Sequence, residues 1–241
     1  MKTFGLVGKS LSHSFSSQYF SEKFYKENIT NCQYLNFEID DISNIKKLIS
    51  ENDILGLNIT VPYKTSIIPY LDGVSDESEE INAVNTVKIV NGKLYGFNTD
   101  IIGFKKSISP ILDNRKTALV LGNGGSSKSV QYVLKNLDIS FKVVSRKTKL
   151  DYQHVDKEIM ATTDVIINCT PLGMYPETES YPKIPYDFLN SKHLLFDLVY
   201  NPKQSKFLTF GIAKNCIVKN GLEMLHIQAE ESWNIWNNNV V

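Results

Sequence analysis

Cysteine is scarce in this chain: Cys32, Cys169 and Cys216 are odd in number and far apart. They suit a reducing compartment, and no disulfide framework is expected from them. Histidine occurs only at 13, 154, 193 and 226, without ligand spacing to the cysteines, so no metal site is expected. Neither sign of charge is in excess, since 26 Lys plus Arg balance 26 Asp plus Glu. That excludes a protein that holds nucleic acid by bulk electrostatics, though not one with a local basic pocket. No run approaches the ~20 apolar residues needed to cross a bilayer, so no membrane partner is expected. The opening MKTFGLVGKSLSHS has a short apolar run broken by glycine and polar residues, and does not read as a secretion signal. A cytoplasmic location follows as the expectation. There is no internal repeat and no low-complexity tract. With 42% apolar and 22% charged residues the composition is that of a folded chain, and 241 residues allow one large or two small domains.

What is present is an alternation of strand and helix signals. Residues 3–8 form a short apolar run ending in glycine, and 16–27 place Tyr19, Phe20 and Phe24 at helical spacing. Residues 34–39 alternate as a strand, Asp41 and Ser43 can cap a helix carrying Ile45, Leu48 and Ile49, and 54–61 is a buried strand stopped by Pro62. This βαβαβ order implies a mainly parallel sheet. Asn91-Gly92, between two β-rich runs, is a strong hairpin signal. A helix follows Asp100 and is expected to end near Pro110, and the polar stretch 112–117 reads as a boundary. A second α/β series has strands at 117–122, 141–145, 164–170, 194–200 and 215–220, and the chain closes with an amphipathic helix over 221–236.

Gly122-Asn123-Gly124-Gly125-Ser126-Ser127 lies between a strand and a helix. There the glycines can admit a tight turn and bring backbone N–H groups to a pyrophosphate, although an ordinary strand-to-helix turn also favours small residues. The next strand ends about 20 residues on, where a ribose contact belongs. It carries Ser145-Arg146-Lys147 and no acid, which favours a 2′-phosphate, hence NADP, over the 2′-hydroxyl of NAD. In the first half, polar residues gather at element ends. Ser14 and Ser16 are either helix caps or a pair that grips one carboxylate or diol. Asn58, Thr60 and Lys64 stand at the end of a buried strand, and Asn85-Thr86 and Asn98-Thr99-Asp100 bracket the hairpin. Singly these read as turn formers, caps and a solvated lysine; together they suit a small, acidic, highly hydroxylated ligand.

These residues resemble the shikimate dehydrogenase family, in order and nearly end to end: HSFS at 13–16, NITVPYK at 58–64, INAVNT at 81–86, GFNTD at 96–100, GNGGSS at 122–127, INCTPLGM at 167–174, DLVYNP at 197–202 and GLEMLHIQA at 221–229. The resemblance implies reversible reduction of 3-dehydroshikimate to shikimate with NADPH, on the route to chorismate and aromatic amino acids. It places Ser14 and Ser16 on the substrate carboxylate, Asn58, Thr60, Asn85 and Gln228 on ring hydroxyls or carboxylate, and Tyr200 near substrate and nicotinamide. Lys64 and Asp100 become the catalytic pair, with Lys64 either supplying the proton for the developing alkoxide or only orienting substrate. Gly122, Asn123, Gly124, Gly125 and Ser126 fall to the pyrophosphate, Ser145, Arg146 and Lys147 to the 2′-phosphate, and Thr170, Gly221 and Met224 to the rest of the cofactor site. The family usually has asparagine at 145, a small hydroxyl residue at 147 and a longer helix between 146 and 164. These departures bear on how tightly NADP is preferred more than on the direction of the preference.

The resulting expectation is two open α/β domains with a cleft between them. A substrate and catalytic domain spans 1–101 plus 221–241, and a Rossmann-type NADP domain spans 102–220. The expected partners are the small-molecule substrate and cofactor, with a monomer or homodimer as the state. Two other readings compete: a quinate/shikimate dehydrogenase using NAD, and a catalytically silent NADP-binding sensor.

Overall fold

The protein is described by a computed structural model over residues 1–11, 14–146 and 148–238. In chain order its elements are β1 (Lys2–Gly8), α1 (Phe15–Lys26), β2 (Cys32–Glu38), α2 (Ile45–Asn52), β3 (Ile54–Ile59), β4 (Gly73–Val74), α3 (Asp76–Ile81), β5 (Thr86–Val90), β6 (Lys93–Phe97) and α4 (Thr99–Leu112), followed by β7 (Thr117–Leu121), α5 (Gly125–Asn136), β8 (Ser140–Val144), α6 (Lys157–Ala161), β9 (Val165–Asn168), β10 (Leu194–Asp197), α7 (Lys206–Ala213), β11 (Ile217–Lys219) and α8 (Leu222–Asn237). They form two compact units, residues 1–99 with those from 228 onward, and residues 100–227. The chain thus changes unit inside α4 and inside α8, at Thr99–Asp100 and Ile227–Gln228.

The first unit is a six-stranded sheet in the order β2-β1-β3-β5-β6-β4. The β1–β2, β1–β3 and β4–β6 pairs are parallel, whereas β3–β5 and β5–β6 are antiparallel. Asn91 and Gly92 both have positive φ, 51° and 77°, the backbone a two-residue hairpin between twisted strands requires. Strand alternation sorts the two faces. Leu57 and Ile59 of β3 join Val7, Ile45, Val87 and Leu94 in one core. Gly56 and Asn58 point the other way, toward a largely aromatic core of Phe4, Leu6, Phe20, Phe24, Tyr34, Ile235 and Trp236. There Phe4 stacks on Trp236 at 4.9 Å and Phe20 on Tyr34 at 4.4 Å between ring centroids. Lys23, buried between α1 and α8, is neutralised by Glu27 at 2.7 Å and Glu230 at 2.8 Å.

The second unit is a five-stranded sheet, β11-β10-β9-β7-β8, with every pair parallel. From β7 the chain moves outward to β8 and then returns to β9 on the other side. The loop after β7 therefore opens at the point where the strand order reverses, where open α/β sheets bind ligands. Leu119, Leu121, Ile166, Leu195, Phe207 and Leu208 belong to a core that packs α7 against this sheet.

Several boundaries differ from the sequence reading. α4 runs through Pro110 to Leu112, because a proline in the last turn removes a single backbone donor while Ile108 and Leu112 stay buried. Asp100 is not a cap but lies in the first turn of that helix. Strands expected over 54–61, 164–170 and 194–200 stop at Ile59, Asn168 and Asp197, and the residues after them pass into the loops. β4, α3 and α7 were not anticipated. Both helices carry legible caps, Ser75 accepting from Ser78 N and Ser205 from Leu208 N. All seven non-glycine residues with positive φ among the described residues are Asn or Asp, several at helix C-caps, so these side chains do much of the chain reversal that glycine usually does. Between β8 and β9 the described helix content is a 3₁₀ turn and the five-residue α6, in keeping with the short segment noted there.

A Cβ built on Gly56 would lie 2.4 Å from the Trp236 indole, whose Nε1 donates to Val87 O at 3.0 Å. Gly56→Ala is expected to lower stability by about 1–3 kcal/mol through overpacking. Urea unfolding at neutral pH checks this.

Candidate active site

Register brings the first group of polar residues to one edge of the first sheet. In the ladders Asn58 lies opposite Leu6 and Thr86, and Thr86 lies opposite Phe97. Because β5 runs antiparallel to both neighbours, its start meets the end of β3 on one side and the end of β6 on the other. The NITVPYK, INAVNT and GFNTD motifs thus meet because the strands carrying them are hydrogen-bonded neighbours.

Their side chains form a buried network. Asn58 accepts at Oδ1 from Tyr34 Oη at 2.8 Å, and its Nδ2 donates to Ser232 Oγ at 2.9 Å and Thr86 Oγ1 at 3.2 Å. Asn85 Oδ1 accepts from Thr99 N at 2.7 Å, and a backbone N–H can only donate, so the orientation of this amide is fixed. The hydroxyls of Thr86, Thr99 and Ser232 lie 2.9–3.3 Å from one another. Thr99 Oγ1 reaches Gln228 Oε1 at 3.4 Å, and Ser232 Oγ donates to Gln228 O at 2.9 Å. Three of the residues expected to hold substrate, Asn58, Asn85 and Gln228, are therefore brought together. Tyr34, Thr86, Thr99 and Ser232 were not picked out as site residues. Thr86 and Thr99 sit inside the motifs, and Ser232 is one helical turn from Gln228, so helix period alone would have found it. Tyr34 carried only its inward place on an alternating strand.

Ser14 occupies the N-cap position of α1 but makes no cap bond, and Ser16 lies inside the helix. Ser14 Oγ is the buried side-chain polar atom that has no hydrogen-bond partner among the described residues. Thr60 follows β3, its N–H held by Val7 O at 2.9 Å, and Lys64 sits half-buried on the next turn with its carbonyl accepting from Val84 N at 2.7 Å. Asp100 is buried and begins the second unit. The residue before it, Thr99, is the one fixed by Asn85.

In the second unit Gly122 has φ +105°, and a Cβ there would meet Thr170 Cγ2 at 3.0 Å, so both conformation and space require glycine. This places Thr170 against the glycine loop. Ser127 Oγ donates to Gly122 O at 2.7 Å and ties the loop to the helix it opens. Gly124 is the N-cap of α5, supplies no side-chain cap and has open space where a Cβ would stand, while Asn123, Gly125 and Ser126 complete the turn. Exposed backbone donors at a helix start, beside a sheet's switch point, fit a phosphate. The N–H of Gly122 donates to Val144 O at 2.8 Å, which brings the end of β8 alongside. There Ser145 is buried and bonded to Thr148, and Arg146 is exposed. Lys147, like His13 of the HSFS motif, lies outside the described residues. Gly221 is pressed against backbone, with Leu198 O 2.2 Å from any added Cβ; Met224 is buried and Tyr200 half-buried. Among the described residues no group of three His, Cys, Asp or Glu could hold a metal ion, and no helix is long and apolar enough to cross a membrane.

Residues 6–87 match the family model for the shikimate dehydrogenase substrate binding domain. The chain is 38% identical to the NADP(+) shikimate dehydrogenase of Clostridium beijerinckii, over 98% of this chain and 92% of that one. It belongs to the shikimate dehydrogenase family. Among solved structures, shikimate dehydrogenase 1 from Peptoclostridium difficile superposes with a TM-score of 0.89 at 38% identity, covering 100% of this chain and 93% of that one. The Thermus thermophilus enzyme in complex with NADP(H) and shikimate gives 0.86 at 28% identity, covering 98% and 94%.

In this shikimate dehydrogenase family member, one further buried cluster supports the loops after β9 and β10. Asp197 is fully buried. It accepts from Asn168 Nδ2 at 2.9 Å, Val199 N at 3.0 Å and the Ser205 hydroxyl. Asn168 Oδ1 in turn accepts from Thr170 N and Oγ1, at 3.0 and 2.6 Å. Burial pushes the Asp197 pKa up to about 6 despite these three donors. The unfolded chain should release this proton near pH 4. Between pH ~4 and ~6 the folded state therefore holds the proton the unfolded state has lost, and stability falls as pH rises through that window, by about 3 kcal/mol in all. Asp197→Asn, which cannot ionise, is expected to lose this dependence. Urea unfolding of both proteins from pH 4 to pH 7 should show the variant gaining on the wild type as pH rises.

Proposed function

We propose that this chain catalyses the reversible, NADPH-dependent reduction of 3-dehydroshikimate to shikimate, in the cytoplasm, as a step toward chorismate and the aromatic amino acids. Beyond family membership, two observations carry this reading: the buried Ser14 hydroxyl, which has no partner among the described residues, and the network of amides and hydroxyls at the edge of the first sheet. A buried hydroxyl left unpaired costs about 1–3 kcal/mol. A carboxylate ligand accepts that hydrogen bond. The ring hydroxyls of a cyclic polyol match the amides of Asn58, Asn85 and Gln228 and the hydroxyl of Thr60. A nucleic-acid or protein partner would not call for so many buried polar groups at one sheet edge.

The cofactor reading rests on the second unit, where the glycine turn, the open N-cap of α5 and the exposed Arg146 fit a pyrophosphate and a 2′-phosphate. Gly122, Asn123, Gly124, Gly125 and Ser126 take the pyrophosphate and Ser145 and Arg146 the phosphate, with Thr170, Gly221 and Met224 bordering the rest. When bound, NADPH supplies a hydride to the ketone carbon. The chain supplies the other half of the reaction. Lys64 donates the proton that the ketone oxygen gains, and Asp100 completes the pair by orienting that ammonium. Ser14 and Ser16 hold the carboxylate, and Tyr200 borders the substrate.

Shikimate mixed with the purified protein and NADP+ is expected to raise absorbance at the reduced-nicotinamide band. No reduction of either NADP+ or NAD+ overturns the enzyme reading, and quinate as an alternative substrate separates the two dehydrogenase activities. Lys64→Ala is expected to lower kcat roughly 10²–10⁴-fold with little change in the KM for shikimate. A loss confined to KM would instead make Lys64 a binding residue. Arg146→Ala is expected to raise the KM for NADP+ by about 10–100-fold while leaving that for NAD+ nearly unchanged.

A further inference from the structure

Tyr34 has two properties that packing alone does not require. Its ring, on β2, stacks on Phe20 and approaches Trp236 at 6.3 Å, and phenylalanine would fill that place equally well. Its hydroxyl, however, donates to Asn58 Oδ1 at 2.8 Å. Burial pushes the phenol pKa up, so the group stays a neutral donor. One buried hydroxyl thus joins β2 to the NITVPYK motif.

Asn58 has little freedom left. Its Nδ2 faces Ser232 Oγ, Thr86 Oγ1 and, at 3.4 Å, Asn85 O. A backbone carbonyl only accepts, so the atom facing it is the nitrogen, and both amide protons are spent inside the protein. Tyr34 uses one lone pair of Oδ1. What remains for a ligand is the second lone pair, which takes a donor such as a hydroxyl and repels a carboxylate oxygen.

We propose that Tyr34 is a positioning residue of the substrate site: its hydroxyl fixes the Asn58 amide and leaves Asn58 an acceptor for a substrate hydroxyl. The inference rests on the reading that Asn58 serves shikimate.

The test is Tyr34→Phe, which keeps the ring and removes the hydroxyl. The KM for shikimate is expected to rise about tenfold, the loss of roughly one net buried hydrogen bond. The KM for NADP+ should stay close to wild type, and the midpoint of thermal unfolding should fall by only about 2–4 °C, the effect of leaving Asn58 Oδ1 without this donor. In a cycle with Asn58→Ala, the double variant should be less impaired than the product of the two single effects, because Tyr34 acts through Asn58. An unchanged KM for shikimate, equal changes in both KM values, strictly multiplicative effects, or a variant that does not fold each overturns the proposal. Wild-type protein that fails to turn over shikimate removes the functional reading and this inference together. Wild-type turnover with an unaffected Tyr34→Phe variant removes this inference alone.

Discussion

The first unit depends on the amide of Asn58. It lies in the middle of a sheet, at 6% exposure, and within it every proton has an acceptor. In such a place a polar group is stabilising only when fully paired, because each missing partner leaves its desolvation uncompensated. The side-chain partners come from three elements, β2, β5 and α8, and Thr99 at the start of α4 joins through Ser232. Meeting the needs of one side chain therefore sets the relative places of the segments that carry the candidate substrate ligands. The aromatic core around Phe20, Tyr34 and Trp236 supplies the dry surroundings in which these modest hydrogen bonds hold direction.

The second unit solves a comparable problem with a charge. Asp197 gathers donors from the loop after β10, from Asn168 and from Ser205, and Asn168 passes the constraint on to Thr170. Thr170 then packs against Gly122. A carboxylate with no exposed surface thus supports the glycine turn from below, through an amide and a hydroxyl. Both units place polar networks under the loops that carry the candidate ligand residues, which limits how far those loops relax.

Much of this was legible from residue order. Asn91-Gly92 announced its hairpin, the glycine run after 117–121 announced its turn, and the motif residues Asn58, Asn85 and Gln228 do converge. What was not legible has common causes. α3 and α7 are short, and their apolar spacing is weak, so only the capping serines Ser75 and Ser205 betrayed them. β4 has two residues, too few for any periodicity. Tyr34, Asn168 and Asp197 act through partners distant in sequence, and a pattern read along the chain does not show which strands will be neighbours. Asp197 looked like part of a motif; only burial reveals that it is a supporting charge.

The place of Ser232 and Trp236 has a consequence for the order in which the protein is made. The first unit needs both: Ser232 closes the Asn58 network, and Trp236 covers Gly56. Yet 128 residues of the second unit, 100–227, lie between them and the strands they complete. During synthesis the second unit is wholly outside the ribosome before the first can be finished. Residues 1–99 must wait with Asn58 and the aromatic face uncovered, so the unit that begins first on the chain ends its folding last.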